Sequence, residues 1–168
     1  SITTIQALDN FIKKNCKFDG NLVINHSNNI TAKLAVISDN LDTSVQVDFP
    51  FVGESLSMFE KMFKAIDFPM SKMFVLNFCF FKLNKEHFSC ENDYMDLDLI
   101  IFKYLEIIKP KFIVDMCINN KIDLKFNTLR KDLEFVNIHN PDTLINCPVL
   151  KRKAWENLKR LREKINAN

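Results

Sequence analysis

Short apolar runs that alternate with helical patterns constrain the fold of this 168-residue chain more than any other feature. Leu34–Ile37, Met73–Leu76, Phe112–Met116 and Leu133–Ile138 are rich in Val, Ile and Phe and read as strands. Between them the apolar spacing predicts helices over Ser55–Ile66, Met95–Ile108 and Pro148–Ile165. An amphipathic helix over Ile2–Lys14 precedes them, with Ile5, Leu8, Phe11 and Ile12 on one face and Thr3 or Thr4 as its cap. Asp19–Thr31 reads as a short strand and loop. Strands separated by helices imply a parallel sheet covered on both faces, because each crossover must bury its own apolar stripe. The expected architecture is an α/β three-layer sandwich with a four-stranded parallel sheet, in one domain spanning residues 1–168.

Composition narrows the setting. Sixteen Phe against two Gly, with many Asn, Lys and Ile, point to an AT-rich, bacterial coding sequence. A net charge of +2 excludes a uniformly basic nucleic-acid binder, so any such footprint must come from local clustering. Five Cys form no CxxC and no paired framework, which fits a reducing cytoplasm rather than a disulfide scaffold. No apolar run is long enough to span a bilayer, and no secretory leader is legible, so a cytoplasmic protein without membrane contact is expected.

In open α/β sheets, ligands bind beyond the carboxyl ends of the strands. Residues just after the predicted strands are Ser38-Asp39, Asn77 and His139-Asn140, which makes that edge the candidate site. By residue type alone, Asn77 caps a strand end, Phe51 is ordinary core and Asp39 is an exposed turn residue. The basic residues of 150–165, by the same standard, form a solvated outer face opposite Leu150, Ala154, Leu158, Leu161 and Ile165.

Two blocks add a resemblance. The segment HNPDTLINCPVLKRKAW, residues 139–155, sets Pro141 seven residues before Pro148, followed by Leu150-Lys151-Arg152 and Trp155. Pro50-Phe51-Val52-Gly53-Glu54-Ser55 precedes an apolar helix pattern, and Met73–Asn77 and Pro110–Val114 follow in order. Together these resemble the uracil-DNA glycosylase superfamily, in particular its bacterial family-four branch, across roughly residues 30–166. That resemblance implies roles. Asp39 would take the position of the acidic residue that handles water and the cationic sugar. Asn77 would read the edge of uracil through its amide, and Phe51 would stack on the base. Pro50, Leu144, Lys151, Arg152 and Lys153 would contact DNA, Leu144 as the wedge into the minor groove. The leaving base would meet Asn140, which stands where the family has its catalytic histidine. His139 is one residue early and, on a continuing strand, points to the opposite face.

Departures from the family pattern are as informative. Asn140 can donate a neutral hydrogen bond to the departing base but not the charge-assisted one that a histidine supplies, typically about twice as strong. Ser38-Asp39-Asn40-Leu41-Asp42 replaces a glycine-bearing motif, and both Asp42 and Asp142 put negative charge where phosphates would lie. Of the four cysteines that hold an iron–sulfur cluster in such enzymes, only Cys16 has a counterpart. The others fall on Asp19, Phe81 and Leu97, so no cofactor and no metal are expected. The implied function is a divergent base-excision repair protein that binds DNA weakly and nonspecifically, its excision activity reduced or lost. An active uracil-DNA glycosylase, using Asp39, Asn77 and either Asn140 or His139, is one alternative. A non-catalytic scaffold for a repair or replication protein is the other.

Overall fold

A computed structural model describes residues 2–17, 22–39, 51–80, 89–90, 97–117 and 132–167. In chain order the elements are α1 (Ile5–Asn15), β1 (Cys16–Lys17), β2 (Leu22–His26), β3 (Leu34–Ser38), α2 (Gly53–Lys64), β4 (Met73–Phe80), β5 (Ser89–Cys90), α3 (Leu97–Ile108), β6 (Phe112–Asp115), β7 (Glu134–Asn137), α4 (Pro141–Asn146) and α5 (Lys151–Asn166). Single 3-10 turns precede β4 at Met70–Lys72 and α5 at Pro148–Leu150.

The main sheet has the order β2-β4-β3-β6-β7. Four strands, β4, β3, β6 and β7, are parallel, as expected. The fifth corrects the four-stranded expectation: β2 pairs antiparallel with β4, from Leu22 opposite Phe80 to His26 opposite Leu76. A five-residue segment reading Leu-Val-Ile-Asn-His carries too little alternation to announce such a partner. That pairing also explains why β4 continues to Phe80, four residues past its expected end at Leu76. A separate two-stranded ribbon joins β1 to β5.

Alternation along each strand feeds two cores. Ala35 and Ile37 of β3, Phe74 and Leu76 of β4 and Ile113 of β6 face α1 and α3. Leu34, Val36, Met73, Val75, Phe112 and Val114 face α2, α4 and α5 on the other side. Every residue of β3 and β6 is buried, the mark of strands covered on both faces.

Local chemistry fixes the helix ends. Thr4 caps α1, its Oγ1 accepting from the Ala7 N–H at 3.1 Å. Asp67, at φ 55°, takes the left-handed conformation after α2, where its N–H donates to Lys64 O and the Phe68 N–H to Phe63 O. Away from the carboxyl edge, Asp9 of α1 ties three elements together. Its Oδ1 accepts from the Tyr104 hydroxyl at 2.6 Å, and its Oδ2 lies 2.8 Å from His26 Nε2. Burial first, then the hydrogen bond and charge of Asp9, hold the Tyr104 phenol far above its ordinary pKa.

Candidate functional site at the carboxyl edge

Numbering only the parallel strands, their order across the sheet is 2-1-3-4, so the chain reverses direction between the first and third, β3 and β6. Such a switch point opens a crevice at the carboxyl ends of the two strands, since their connections leave in different directions. Register places the relevant residues there side by side. Ser38 is opposite Asn77 of β4, while Ile37 is opposite Asp115 of β6, which in turn faces Asn137 of β7.

Burying a polar side chain costs free energy unless it is paired or used. Among the described residues the buried polar or charged ones are Ser38, Asp39, Asn77, Asp115 and Asn140. All five sit on the carboxyl edge. Buried polarity is therefore gathered in one place, which is the strongest structural argument for this edge as the candidate site.

Asp39 is 4% exposed, not the exposed turn residue that its type and position suggest. Asp115 follows Phe112-Ile113-Val114 and folds back on its own chain, Oδ1 accepting from the Cys117 N–H at 2.9 Å. Cys117 lies close to both carboxylates. Burial first, then the charges of Asp115 and Asp39, raise its thiol well above the ordinary cysteine value.

Asn140 carries the most distinctive arrangement. It is the N-cap of α4, with φ −68° and ψ 162°, its Oδ1 accepting from the Thr143 N–H at 2.8 Å and Pro141 following at the first helical position. The carbonyl end of the amide is thus spent on the cap. The other end, Nδ2, is buried and has no hydrogen-bond partner among the described residues, in a side chain only 1% exposed. An ionised aspartate would cap the helix about as well without any surplus donor. What the asparagine adds is a fixed N–H donor, and leaving it unsatisfied costs on the order of 1–3 kcal/mol.

His139 is exposed whereas Asn140 is buried, so the two expected candidates are not brought together. Phe51 is core, its ring stacked on Phe59 at 5.3 Å and continued by Phe63 at 4.7 Å from Phe59. Pro50 and the segment Asn40-Leu41-Asp42 lie outside the described residues. Asp142 is half-buried and accepts from the Ser55 hydroxyl, so it bridges the starts of α4 and α2 rather than standing free toward a ligand. Leu144 is 2% exposed and packed in the core with α2 and α5. As it stands, Leu144 is a core side chain with no tip available to a groove.

The direction of α5 is set by two contacts. Asn157 Nδ2 donates to Asn137 O at 2.9 Å at the end of β7, and Lys164 Nζ meets Glu134 Oε2 at 2.8 Å at its start. The helix therefore runs antiparallel to β7, and its first turn projects past the carboxyl edge by about 9 Å at 1.5 Å per residue. Lys151, Arg152 and Lys153 occupy that turn, all exposed, with no acidic residue within it. The helix carries seven basic against two acidic residues, a net +5 in a chain of net +2, so the remainder of the chain is negative. Three cations at the positive end of a helix dipole oppose it, typically by 0.3–1 kcal/mol each.

Sequence reasoning missed Asp115 and Cys117, although the rule that selects Asp39 and Asn77 applies equally to the end of the run Phe112-Ile113-Val114. A cleft of about 430 Å³, lined by Glu60, Lys64, Asp67, Phe68, Pro69 and Met70, opens at the far end of α2 and contains none of these residues. Among the described residues no three His, Cys, Asp or Glu side chains come together as a metal site. Of the implied cluster positions, Cys16 and Leu97 fall in β1 and α3, whereas Asp19 and Phe81 lie outside the described residues. No described helix is long and apolar enough to cross a membrane. No protein-family model matches this chain, and no curated protein matches it.

Proposed function

We propose that this chain is a divergent domain of the uracil-DNA glycosylase type that binds nucleic acid weakly and has reduced or lost base-excision activity. One observation carries the reading: a buried amide donor, Asn140 Nδ2, lacks a partner among the described residues at an edge that also gathers Asn77 and Asp39. A donor fixed there suits a carbonyl oxygen of a nucleobase. Its neutrality is what limits the chemistry.

Cleaving an N-glycosidic bond leaves negative charge on the base and positive charge on the sugar, so a competent site must stabilise both. Asp39, buried at the end of β3, is suited to oppose the positive charge. Asn140 offers only a neutral hydrogen bond to the negative one, and His139 is exposed and does not join it. Ground-state recognition of the base would survive this change better than the rate of its release. The positive first turn of α5, on the same side of the molecule, supports a polyanionic ligand.

The test is a uracil-containing single strand, followed both for binding and for appearance of abasic sites. Salt-dependent binding with excision at or near background is expected. Efficient excision by the unaltered protein would establish the active-glycosylase alternative. Absence of any affinity at low salt would remove nucleic acid from the reading and leave the scaffold role.

A further inference from the structure

We infer that the ligand of this surface is an unpaired nucleic-acid strand, held by stacking of a base on Trp155; the inference rests on the nucleic-acid reading above. Proteins that open a duplex at one nucleotide frequently do so with an apolar side chain that enters the stack. Leu144, the residue the motif offers, is locked into the core at 2% exposure and sits on the buried face of α4, so it reaches no base pair without unfolding that helix. The exposed large apolar side chains on this side are Val52, at 39%, Val149, at 84%, and Trp155, at 40%, of which only Trp155 is aromatic.

Helical spacing puts Val149, Arg152, Trp155 and Lys159 on one stripe, at intervals of three, three and four residues. Lys159 Nζ lies over the Trp155 ring, 5.9 Å from its centre, a flexible contact that a stacking base must displace, and Arg152 is exposed with only a 3.6 Å contact to Glu156, an exposed pair worth little. An aromatic face flanked by exposed cations at the spacing of a helix turn is the arrangement that binds single strands: the cations follow the phosphates while a base stacks on the ring. Paired bases in a duplex keep their faces stacked on one another and present none to Trp155. The stripe runs along the first half of α5, whose start projects past the edge that holds Asn140, so a strand lying on it passes the buried polar site.

Trp155 is the only tryptophan in the chain, so its fluorescence reports this contact alone. Titration of the full chain with an oligothymidylate of about twelve nucleotides, within the usual site size of a single-strand binder, should quench that emission. The same strand annealed to oligodeoxyadenylate of equal length should quench it little and bind more weakly. Trp155→Ala, followed by anisotropy of labelled DNA, should lower single-strand affinity roughly tenfold, leave duplex affinity unchanged and keep the same dependence on salt. Trp155→Phe should restore part of the loss. Salt-dependent binding of both forms with equal affinity and no quenching would overturn this inference while leaving the nucleic-acid reading intact. No binding of either form would overturn both. A blue-shifted emission with anionic phosphatidylserine vesicles, in place of quenching by DNA, would assign the stripe to a membrane surface and also refute it.

Discussion

Replacing Asn140 by serine should leave the protein as stable as before or make it more stable, although a buried, hydrogen-bonded side chain is being shortened. The serine hydroxyl can take over the bond from the Thr143 N–H, and serine and asparagine are about equal as N-caps. The change also replaces Nδ2, the buried donor without a described partner, by one hydroxyl proton that can rotate to an acceptor in reach, relieving up to about 1–3 kcal/mol. Against this stands the small void left by the missing amide atoms, on the order of 1 kcal/mol. The net expectation lies between about zero and 2 kcal/mol of stabilisation. For a domain of this length that is a rise in melting temperature of a few degrees, about 2–4 °C per kcal/mol. Asn140→Ala removes the same donor and also the cap, so it should fall below Asn140→Ser by about 1 kcal/mol. Urea unfolding of the three proteins, read by circular dichroism, measures both differences as shifts in midpoint at constant slope. If Asn140→Ser is destabilised by about 2 kcal/mol or more while the serine–alanine difference stays near 1, Nδ2 has a partner in the folded protein. It would then not be a donor held for a ligand.

Three further outcomes follow from the same geometry. Asn140→His should raise uracil excision about a hundred- to thousand-fold, as expected of a restored leaving-group donor, and adding Asp39→Ala or Asn77→Ala should abolish the gain; no excision above background in a folded Asn140→His protein would mean the site is damaged beyond this residue. Neutralising Lys151, Arg152 and Lys153 together should flatten the slope of log affinity against log salt by about 0.9 for each phosphate that is no longer neutralised, and an unchanged slope would remove the first turn of α5 from the interface. Stability should fall in alkali, because Tyr104 and Cys117 both have raised pKa values in the folded chain. Their contributions are fully present below the unfolded values, about 8.5 for the thiol and 10 for the phenol, and decline as pH rises beyond them, since the unfolded chain gives up these protons first. Urea midpoints measured from about pH 7 to 11 should decline from about 8.5 upward, and Cys117→Ala should delay the onset.

The parts of the fold legible in the sequence are those written as local pattern. The four parallel strands lie within a few residues of their apolar runs, and α2 is displaced only from the expected Ser55–Ile66 to Gly53–Lys64. The apolar spacing puts Pro148 at the start of the last helix. It instead begins a 3-10 turn, and the α-helix proper starts at Lys151. Pairing is not legible, because the placement of β2 depends on which edge of the sheet is unoccupied rather than on its own five residues. The site is half legible for the same reason. Asp39, Asn77 and Asn140 follow from strand ends, whereas the proximity of Asp115 and Cys117 to Asp39 depends on strand order, which places β6 beside β3.

Leu144 shows where reasoning from a motif and reasoning from packing diverge. A motif transfers a role to a position in the chain; burial depends on what the neighbouring helices do with that position. In α4, Pro141 and Leu144 are three residues apart and share the inward face, so the helix that Asn140 caps also turns Leu144 into the core. Capping and wedging therefore compete here for one short segment. With the cap bond made and Ser55 holding Asp142, the segment is fixed in the conformation that keeps Leu144 in the core and leaves the Asn140 amide buried. A ligand that needs Leu144 to advance must break the Thr143–Asn140 bond. A ligand that arrives already unpaired need not, and on the proposed nucleic-acid reading that energetic difference favours a single strand over a duplex.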